Sequence, residues 1–553
     1  MRSATVFLFC ALAMISSMQV SCSSGPKPAA ETRAEMPQNY SVKAIDTLEQ
    51  LAVNVPADAD LLVFGSYGSV ADSVRQFRDY HIVDDAELDK LLQDLGTHYL
   101  LNPSNLQSYF KAGMDTGSGF AAGKRGNNVF AVMQLLDETK FRNWWDVFIN
   151  EEFGRPRYHE SAEGDRKFVQ IEILQKDFAT MMFEPGQPVR IVFGSEIVPQ
   201  SDGSLETIKA LADAENLKDS DILSMIRETI PTAPLGIWTT ASKTLLTESV
   251  SNMVEPWISN VSAGVNFSKD GPAIQASGFW KNDIIENQKR GEYAAAMLKP
   301  QENTGREHIL SSNPGSVGHL FFDAEKLESF VVPQLREKHQ NQYADIKDKL
   351  TQRLLGLDVT HQIIHNLAAV WVAIYDTSNE PTQADPTIQE ILSVQKVAIF
   401  MTFKDASASN AFFGKVNALM NIFKNQIPQD TATISQEGDL IHIAVKVSGA
   451  ALHVGYRKGI LSIATEPAWT TVKSVLENDE PKAANDILPA GNHFSAISLR
   501  IADVKQILGA RYPIIKEQIS RFLEHFPHMF VQASANENRI ELRLNSTIKP
   551  SDS

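Results

Sequence analysis

The chain has 553 residues, of which 43% are hydrophobic and 21% are charged, and its formal net charge is −16 at pH 7. A single hydrophobic core stops growing near roughly 250–300 residues, so more than one core is expected. The negative charge and the lack of a basic run exclude nucleic acid as an expected partner and exclude electrostatic binding to an anionic lipid surface.

The first predicted element is a signal peptide. Arg2 supplies a positive start, and the mostly apolar segment ATVFLFCALAMISSM follows it. This segment is shorter than the roughly 20 apolar residues that a membrane-spanning helix needs, and it is typical of a secretory leader. Small and polar residues, SCSSG, come directly after it. We therefore predict a signal peptide at residues 1–21 and an exported body.

The leader resembles that of bacterial lipoproteins. Cys22 follows the small Ser21 and the β-branched Val20, and no cysteine occurs after it. The resemblance implies cleavage before Cys22 and attachment of acyl chains such as palmitate to this residue. Two or more chains anchor a protein stably, since each buried methylene contributes about 0.8 kcal/mol. Ser23 stands where the family's inner-membrane proteins carry aspartate, which implies the outer membrane. The alternative is an ordinary secretory leader cleaved near residues 21–24.

A linker is predicted between the anchor and the body. Residues 22–44 are rich in Ser, Pro, Ala and Glu and have no apolar period, a composition typical of a flexible, extended tether. Because the body contains no cysteine, a disulfide framework and a thiolate metal site are not expected. Short glycosylation sequons begin at Asn260, Asn266 and Asn545, but such matches arise by chance and glycosylation is not expected.

The body contains segments that repeat in the same order. VFAVMQLLDETKFRNWWDVF from Val129 and VAIFMTFKDASASNAFFGKV from Val397 align without a gap. Each has a β-rich run and then an aspartate, Asp137 or Asp405, that is expected to cap a helix. Further pairs are PADADLLVF with PGSVGHLFF, GMD with GLD, VRIVFGSE with GILSIATE, ETIKAL with TTVKSVL, and SAGVNFSKDGPAIQASGFW with MFVQASANENRIELRL. This collinear series indicates a duplication.

We predict a first half at 45–298 and a second half at 304–547, joined by KPQENTGREH. Short β runs alternate with helices through turns that are too short for parallel crossovers. The predicted fold class is therefore α+β, with two homologous halves that each have antiparallel sheets covered by helices, and we expect those helices on one face. The body resembles uncharacterised secreted bacterial proteins with duplicated strand–helix modules, which implies a location but no reaction.

Residues 117–126, GSGFAAGKRG, look like a phosphate-binding loop but do not match one. A P-loop needs glycine five residues before its Gly-Lys pair and Ser or Thr after the lysine. Those positions hold Ser118 and Arg125. The glycine spacing also departs from the dinucleotide-binding pattern. We predict a solvated glycine loop before the next strand and no nucleotide or other cofactor.

The segment HQIIH places His361 and His365 one helical turn apart, a geometry that zinc can use. The zinc-protease motif also needs glutamate beside the first histidine, and this chain has Gln362 there. No third ligand can be named and the flanking segments are typical of core, so we assign no metal site. His525 and His528 are interpreted as turn residues.

No catalytic residue is assigned from the sequence. A nucleophile elbow is absent, and no Cys–His or carboxylate constellation stands out. This favours a protein that is not an enzyme without deciding the question. The pair Trp144–Trp145 falls on a capped helix, where core packing is the default interpretation and stacking on a sugar or peptide is the alternative.

We therefore predict an outer-membrane-anchored periplasmic lipoprotein, held by acyl chains on Cys22, with its body in the periplasm or at the cell surface. Its expected role is non-enzymatic binding or scaffolding, with an envelope protein or a small molecule as ligand. One alternative is an envelope hydrolase with a site between the two halves. Another is an assembly or chaperone-like factor for outer-membrane components.

Overall fold

The structure is a computed structural model that describes most of the body. The described residues are 43–79, 85–98, 100–199, 201–240, 257–268, 271–285, 287–299, 305–334, 340–345, 348, 360–375, 395–423, 432–447, 450–478, 488, 493–500, 526 and 528–547. The predicted signal peptide, Cys22, nearly all of the tether, the GLD segment and His525 lie outside these ranges. The chain forms two compact units that divide between Phe279 and Trp280.

The first unit is built mainly of antiparallel strands. Its helices are α1 (Ala44–Leu51), α2 (Tyr67–Asp79), α3 (Asp85–His98), α4 (Leu106–Lys111), α5 (Glu138–Glu152), α6 (Ser204–Ala212) and α7 (Asp221–Thr229). Its strands are β1 (Leu61–Ser66), β2 (Gly119–Arg125), β3 (Asn128–Met133), β4 (Arg157–Glu163), β5 (Arg166–Ile173), β6 (Lys176–Phe183), β7 (Val189–Phe193), β8 (Leu235–Thr240), β9 (Ile258–Ser268) and β10 (Gly271–Trp280). They pair in the order β4-β5-β6-β7-β3-β2-β1-β8-β9-β10.

The second unit is also built of helices and antiparallel strands. Its helices are α8 (Arg290–Met297), α9 (Arg306–Ser311), α10 (Ala324–Gln334), α11 (Ala406–Phe423) and α12 (Glu466–Glu477), with a π-helical turn at Thr360–Ile364. Its strands are β11 (Ile284–Ile285), β12 (Gln288–Lys289), β13 (Ser316–Phe321), β14 (Leu367–Ile374), β15 (Val397–Phe403), β16 (Ala432–Glu437), β17 (Leu440–Val447), β18 (Ala450–Arg457), β19 (Ile460–Thr465), β20 (Ser495–Arg500), β21 (His528–Ala535) and β22 (Arg539–Thr547). The long strands pair in the order β16-β17-β18-β19-β15-β14-β13-β20-β21-β22.

The predicted mixed α+β architecture with antiparallel pairing is confirmed. Short turns join many of the paired strands, and such turns can connect only antiparallel neighbours. The two predicted helix caps are also present. The carboxylate of Asp137 accepts a hydrogen bond from the backbone N–H of Lys140 at 3.0 Å. Asp405 accepts from the N–H groups of Ser407 and Ala408 at 2.8 and 3.1 Å.

Helices cover both faces of the sheet in the first unit, so the expectation of one covered face is wrong there. On β3, Phe130 and Val132 pack into a core with α1, α6 and α7. Val129 and Ala131 point the other way and pack with residues of α2, α4 and α5. The continuous apolar run at this strand is the sequence signal for burial on both faces.

The second unit also has cores on both faces of its sheet. Trp371 and Phe400 pack in a larger cluster with residues of α9 and α12. Phe403 and Tyr456 belong to a smaller cluster, against which Phe413 of α11 packs. No helix in the described part of the chain combines the length and the apolar content needed to cross a bilayer.

The predicted solvated glycine loop is wrong, because most of the segment is strand β2. A Cβ atom on Gly123 would come within 2.5 Å of the carbonyl oxygen of Leu61, and one on Gly119 would overlap the backbone of Gly65. These glycines therefore allow β1 to approach β2 closely. The turn itself lies at Gly126, where the backbone has a φ of +59°.

Candidate functional site

A groove of about 540 Å³ lies in the first unit. One wall comes from the end of α3, the following loop and α4, and the other wall comes from α5. Its lining combines apolar side chains, neutral amides and two lysines, but no carboxylate. We refer to it as the Trp144 groove.

The loop wall is held by a local hydrogen-bond network. The side-chain oxygen of Asn102 accepts from the N–H of Ser104 at 3.0 Å and from its hydroxyl at 2.7 Å. The hydroxyl of Ser108 donates to the carbonyl oxygen of Asn102 at 2.7 Å. Asn105 caps α4 by accepting from the N–H of Gln107 at 3.0 Å. The loop therefore has a defined shape beside the groove.

Leu100 lies at the rim of the groove in an unfavourable conformation. Its backbone has a φ of +54°, in the left-handed region that a leucine rarely adopts. Its side chain is 52% exposed although it is large and apolar. Backbone strain of this kind costs of order 1–3 kcal/mol and clusters at ligand sites. Leu100 therefore places an exposed apolar side chain at the rim of the groove.

The two adjacent tryptophans of α5 have different environments. Trp145 is 6% exposed and belongs to the core that contains Phe141 and Ile149, so core packing is confirmed for this residue. Trp144 is half-buried and lines the groove. Its ring stacks on Phe148 with centroids 6.0 Å apart and an interplanar angle of 20°. The indole of Trp144 is therefore held in position at the groove wall.

Two lysines give the groove a positive charge within an acidic chain. Lys111 lies in the last turn of α4, and Lys140 lies near the start of α5. The ammonium group of Lys140 is 3.7 Å from the carboxylate of Asp137 and 5.6 Å from the ring centroid of Phe110. Exposed pairs of this kind are weak, so the ammonium group is available to an anionic ligand.

The histidines singled out in the sequence lie in the second unit. His361 belongs to the π-helical turn and its ring centroid is 5.1 Å from that of His365. The Nε2 atom of His365 is 2.5 Å from a carboxylate oxygen of Glu328 on α10. In the described ranges, no group of three His, Cys, Asp or Glu side chains is arranged to hold a metal ion. His528 begins strand β21, so its interpretation as a turn residue is wrong.

Sequence reasoning singled out Trp144 but missed the other groove residues. Asn102, Lys111 and Asn143 come from three separate elements that only the folded chain brings together. The sequence feature that could have indicated this wall of the groove is the turn-forming run LNPSN, which follows α3 and caps α4.

Comparisons with known proteins give no family. No family model matches the chain, and no curated protein matches it. Solved structures of the protein TP0453 match with a TM-score of 0.24 in crystal forms I, IV and III. Form I is 7% identical and the match covers 43% of this chain and 81% of that chain. Form IV is 9% identical, and the match covers 41% of this chain and 79% of that chain. Form III is 7% identical, and the match covers 48% of this chain and 86% of that chain. A likeness at this level carries no argument about function.

Proposed function

We propose that this protein is an outer-membrane lipoprotein, anchored by acyl chains on Cys22, whose body binds a ligand in the Trp144 groove. The anchor is supported by the apolar leader, the position of Cys22 and the lack of any later cysteine. Binding is supported by one observation above all. A half-buried tryptophan lines a groove that also contains neutral amides and two lysines.

The groove chemistry favours an acidic sugar as the ligand. The C–H face of a sugar ring packs against an indole, which Trp144 supplies. Amide groups such as that of Asn143 match sugar hydroxyls as both donors and acceptors. The ammonium groups of Lys111 and Lys140 match a carboxylate. An acidic saccharide therefore uses all three parts of the lining.

The binding proposal is tested by titrating the purified protein with trigalacturonate, using uncharged maltotriose for comparison. We expect Trp144→Ala to abolish binding and Lys111→Ala with Lys140→Ala to remove the preference for the acidic sugar. Lys176→Ala is the matched control, because Lys176 is an exposed lysine that pairs with Glu196 outside the groove. Equal affinities in the wild type and in Trp144→Ala would overturn the proposal.

The anchor is tested separately by membrane fractionation. The wild type should carry labelled palmitate and should sediment with the outer membrane. Cys22→Ala should lose both the label and the sedimentation, because no other residue in the leader offers a thiol at the cleavage site. A Cys22→Ala protein that stays in the membrane fraction would contradict the anchor.

We also infer that the two halves arose by duplication. The ten long strands pair in the same order in each unit. Strands β1 to β10 of the first unit correspond one by one to strands β13 to β22 of the second unit. The repeated segments fall on counterpart elements: VFAVM is in β3 and VAIFM in β15, while ETIKAL is in α6 and TTVKSVL in α12. Comparing the halves across homologous sequences tests this inference, and halves no more alike than unrelated segments would refute it.

A further inference from the structure

A chain of hydrogen bonds crosses three strands of the second unit and ends at an exposed serine. The hydroxyl oxygen of Ser435 on β16 is 3.2 Å from Nδ1 of His442 on β17. The Nε2 atom of His442 is 2.9 Å from Nδ1 of His453 on β18. The Nε2 atom of His453 in turn bonds to the carboxylate of Glu466, the first residue of α12. The four side chains form one continuous series.

With both imidazoles neutral, the carboxylate sets the direction of every bond in the series. The ionised Glu466 can only accept, so Nε2 of His453 must donate to it. In a neutral imidazole the other nitrogen then accepts, so Nδ1 of His453 accepts from Nε2–H of His442. By the same rule, Nδ1 of His442 accepts from the hydroxyl of Ser435. The serine proton therefore points at a basic nitrogen.

The sheet register brings these groups together. Ser435 lies directly opposite His442, and His442 lies directly opposite Gly455. The indole of Trp469 on α12 stacks on the ring of His442, with centroids 4.2 Å apart and an interplanar angle of 14°. A Cβ atom on Gly455 would come within 2.8 Å of that indole. The glycine thus leaves room for Trp469 to cover the two histidines.

The surroundings favour a neutral His442. Burial is the main cause that lowers its pKa, and the charge of Lys473 lowers it further, while Glu437 and Glu466 oppose these effects. The side chain of His453 is only 8% exposed, whereas that of Glu466 is 62% exposed. Lys473 pairs with Glu437 at 2.6 Å. The lowered pKa keeps His442 neutral over a wider range of pH than an exposed histidine.

We propose that Ser435 is the nucleophile of an acyl-transfer site in the second unit, with His442 as its general base and His453 and Glu466 as positioning residues. A nucleophile bonded to a base that a third group orients is the arrangement that activates a hydroxyl. The proposal goes beyond ligand binding in the Trp144 groove and does not depend on it. The substrate class is a small carboxylic ester that can reach an exposed strand.

The reaction has two balanced stages. The hydroxyl oxygen of Ser435 attacks the ester carbonyl and its proton moves to Nδ1 of His442. The bond to the leaving oxygen breaks, and that oxygen takes the proton and departs as an alcohol. Water then attacks the acyl-serine, passes a proton to His442, and releases a carboxylic acid as the proton returns to Ser435.

A fluorophosphonate probe tests the nucleophile on the full chain. The wild type should gain a covalent adduct that peptide mass spectrometry locates at Ser435. Ser435→Ala should remove this adduct, and His442→Gln should slow its formation at least about a hundredfold, the lower end for general-base catalysis. Ser161→Ala is a matched control, because Ser161 is an exposed serine on β4 that faces Phe168 instead of a histidine.

The pH profile of labelling tests the positioning role. The charge of Glu466 raises the pKa of His442, so Glu466→Gln should move the pH midpoint of the labelling rate downward as well as lower the rate. A merely structural role would leave the midpoint in place. A folded wild type with no adduct at Ser435, or a His442→Gln variant that labels at the wild-type rate, would overturn the proposal. Either result leaves the sugar-binding proposal untouched.

Discussion

Asp177 on β6 caps helix α6 from another part of the chain. Its carboxylate accepts a hydrogen bond from the backbone N–H of Ser204 at 2.6 Å and one from the hydroxyl of Ser204 at 2.5 Å. The N-cap residue of this helix is Gly203, which has no side chain that could cap it. Asp177 therefore satisfies a helix amide that the local sequence leaves without a partner.

Removing this cap should destabilise the first unit. Asp177→Ala leaves the backbone N–H of the buried Ser204 without its acceptor, while the hydroxyl of Ser204 keeps only Thr180 as a partner at 2.6 Å. The free energy of unfolding should therefore fall by about 2 kcal/mol. Urea denaturation followed by circular dichroism measures the effect. Asp213→Ala is the control, because Asp213 pairs with Arg166 at the surface and its loss should change stability by at most about 0.5 kcal/mol.

A buried histidine should make the second unit sensitive to acid. Burial lowers the pKa of His319 to about 4, against an ordinary value of 6.5. Between these two pH values His319 is protonated in the unfolded chain and neutral in the folded chain. The free energy of unfolding therefore falls as the pH drops through this window, and it is constant above the window. The loss should approach about 3 kcal/mol. His319→Leu should flatten this part of the stability profile, and an unchanged profile would refute the role of His319.

Gly455 should be essential to the arrangement around His442. Gly455→Ala places a methyl group against Trp469, so the indole must move and the labelling of Ser435 should slow. Near-ultraviolet circular dichroism should report the displaced tryptophan. Gly414→Ala is the control, because a Cβ atom there meets nothing within 4 Å and alanine favours helix α11. If Ser435 is labelled at the same rate in both variants, the position of Trp469 does not affect the reactivity of the serine.

Substitution of Leu100 should change stability and sugar binding in opposite directions. Asparagine tolerates the left-handed conformation better than leucine does, so Leu100→Asn should raise the free energy of unfolding by about 1 kcal/mol. The same change removes an apolar side chain from the groove rim and should weaken sugar binding. Thermal unfolding and trigalacturonate titration on one protein sample measure both effects. A variant that binds as tightly as the wild type would show that Leu100 has no part in the groove.

Local sequence patterns predicted the elements that depend on nearby residues. Asp137 and Asp405 were identifiable as caps because an N-cap interacts with amides only two or three positions away. The helix coverage of both sheet faces was missed, although the unbroken run from Val129 to Met133 carried that information. A strand with one solvent-exposed face has alternating apolar and polar residues. The residues of β3 do not alternate in this way, which is typical of a strand that is buried on both faces.

The serine chain could not be predicted because it depends on strand register. Ser435, His442 and His453 are neighbours only because the turn after Glu437 pairs residue 435 with residue 442, and a shift of one residue would send one of them to the opposite face. His361 lies on a π-helical turn, His365 lies directly after that turn, and the ring of His365 contacts Glu328 of α10. The assignment of Cys22 stays a prediction.

The unequal burial of the two neighbouring tryptophans has a spectroscopic consequence. The rings of Trp144 and Trp145 have centroids 5.9 Å apart and planes inclined at 67°. Indoles at such a distance and angle couple their excited states and give a paired positive and negative band in circular dichroism. Trp145 is fixed in the core while Trp144 borders the groove, so only one member of the pair can respond to an occupant. We therefore expect this paired band to change when trigalacturonate is titrated into the protein, and Trp144→Ala to remove it.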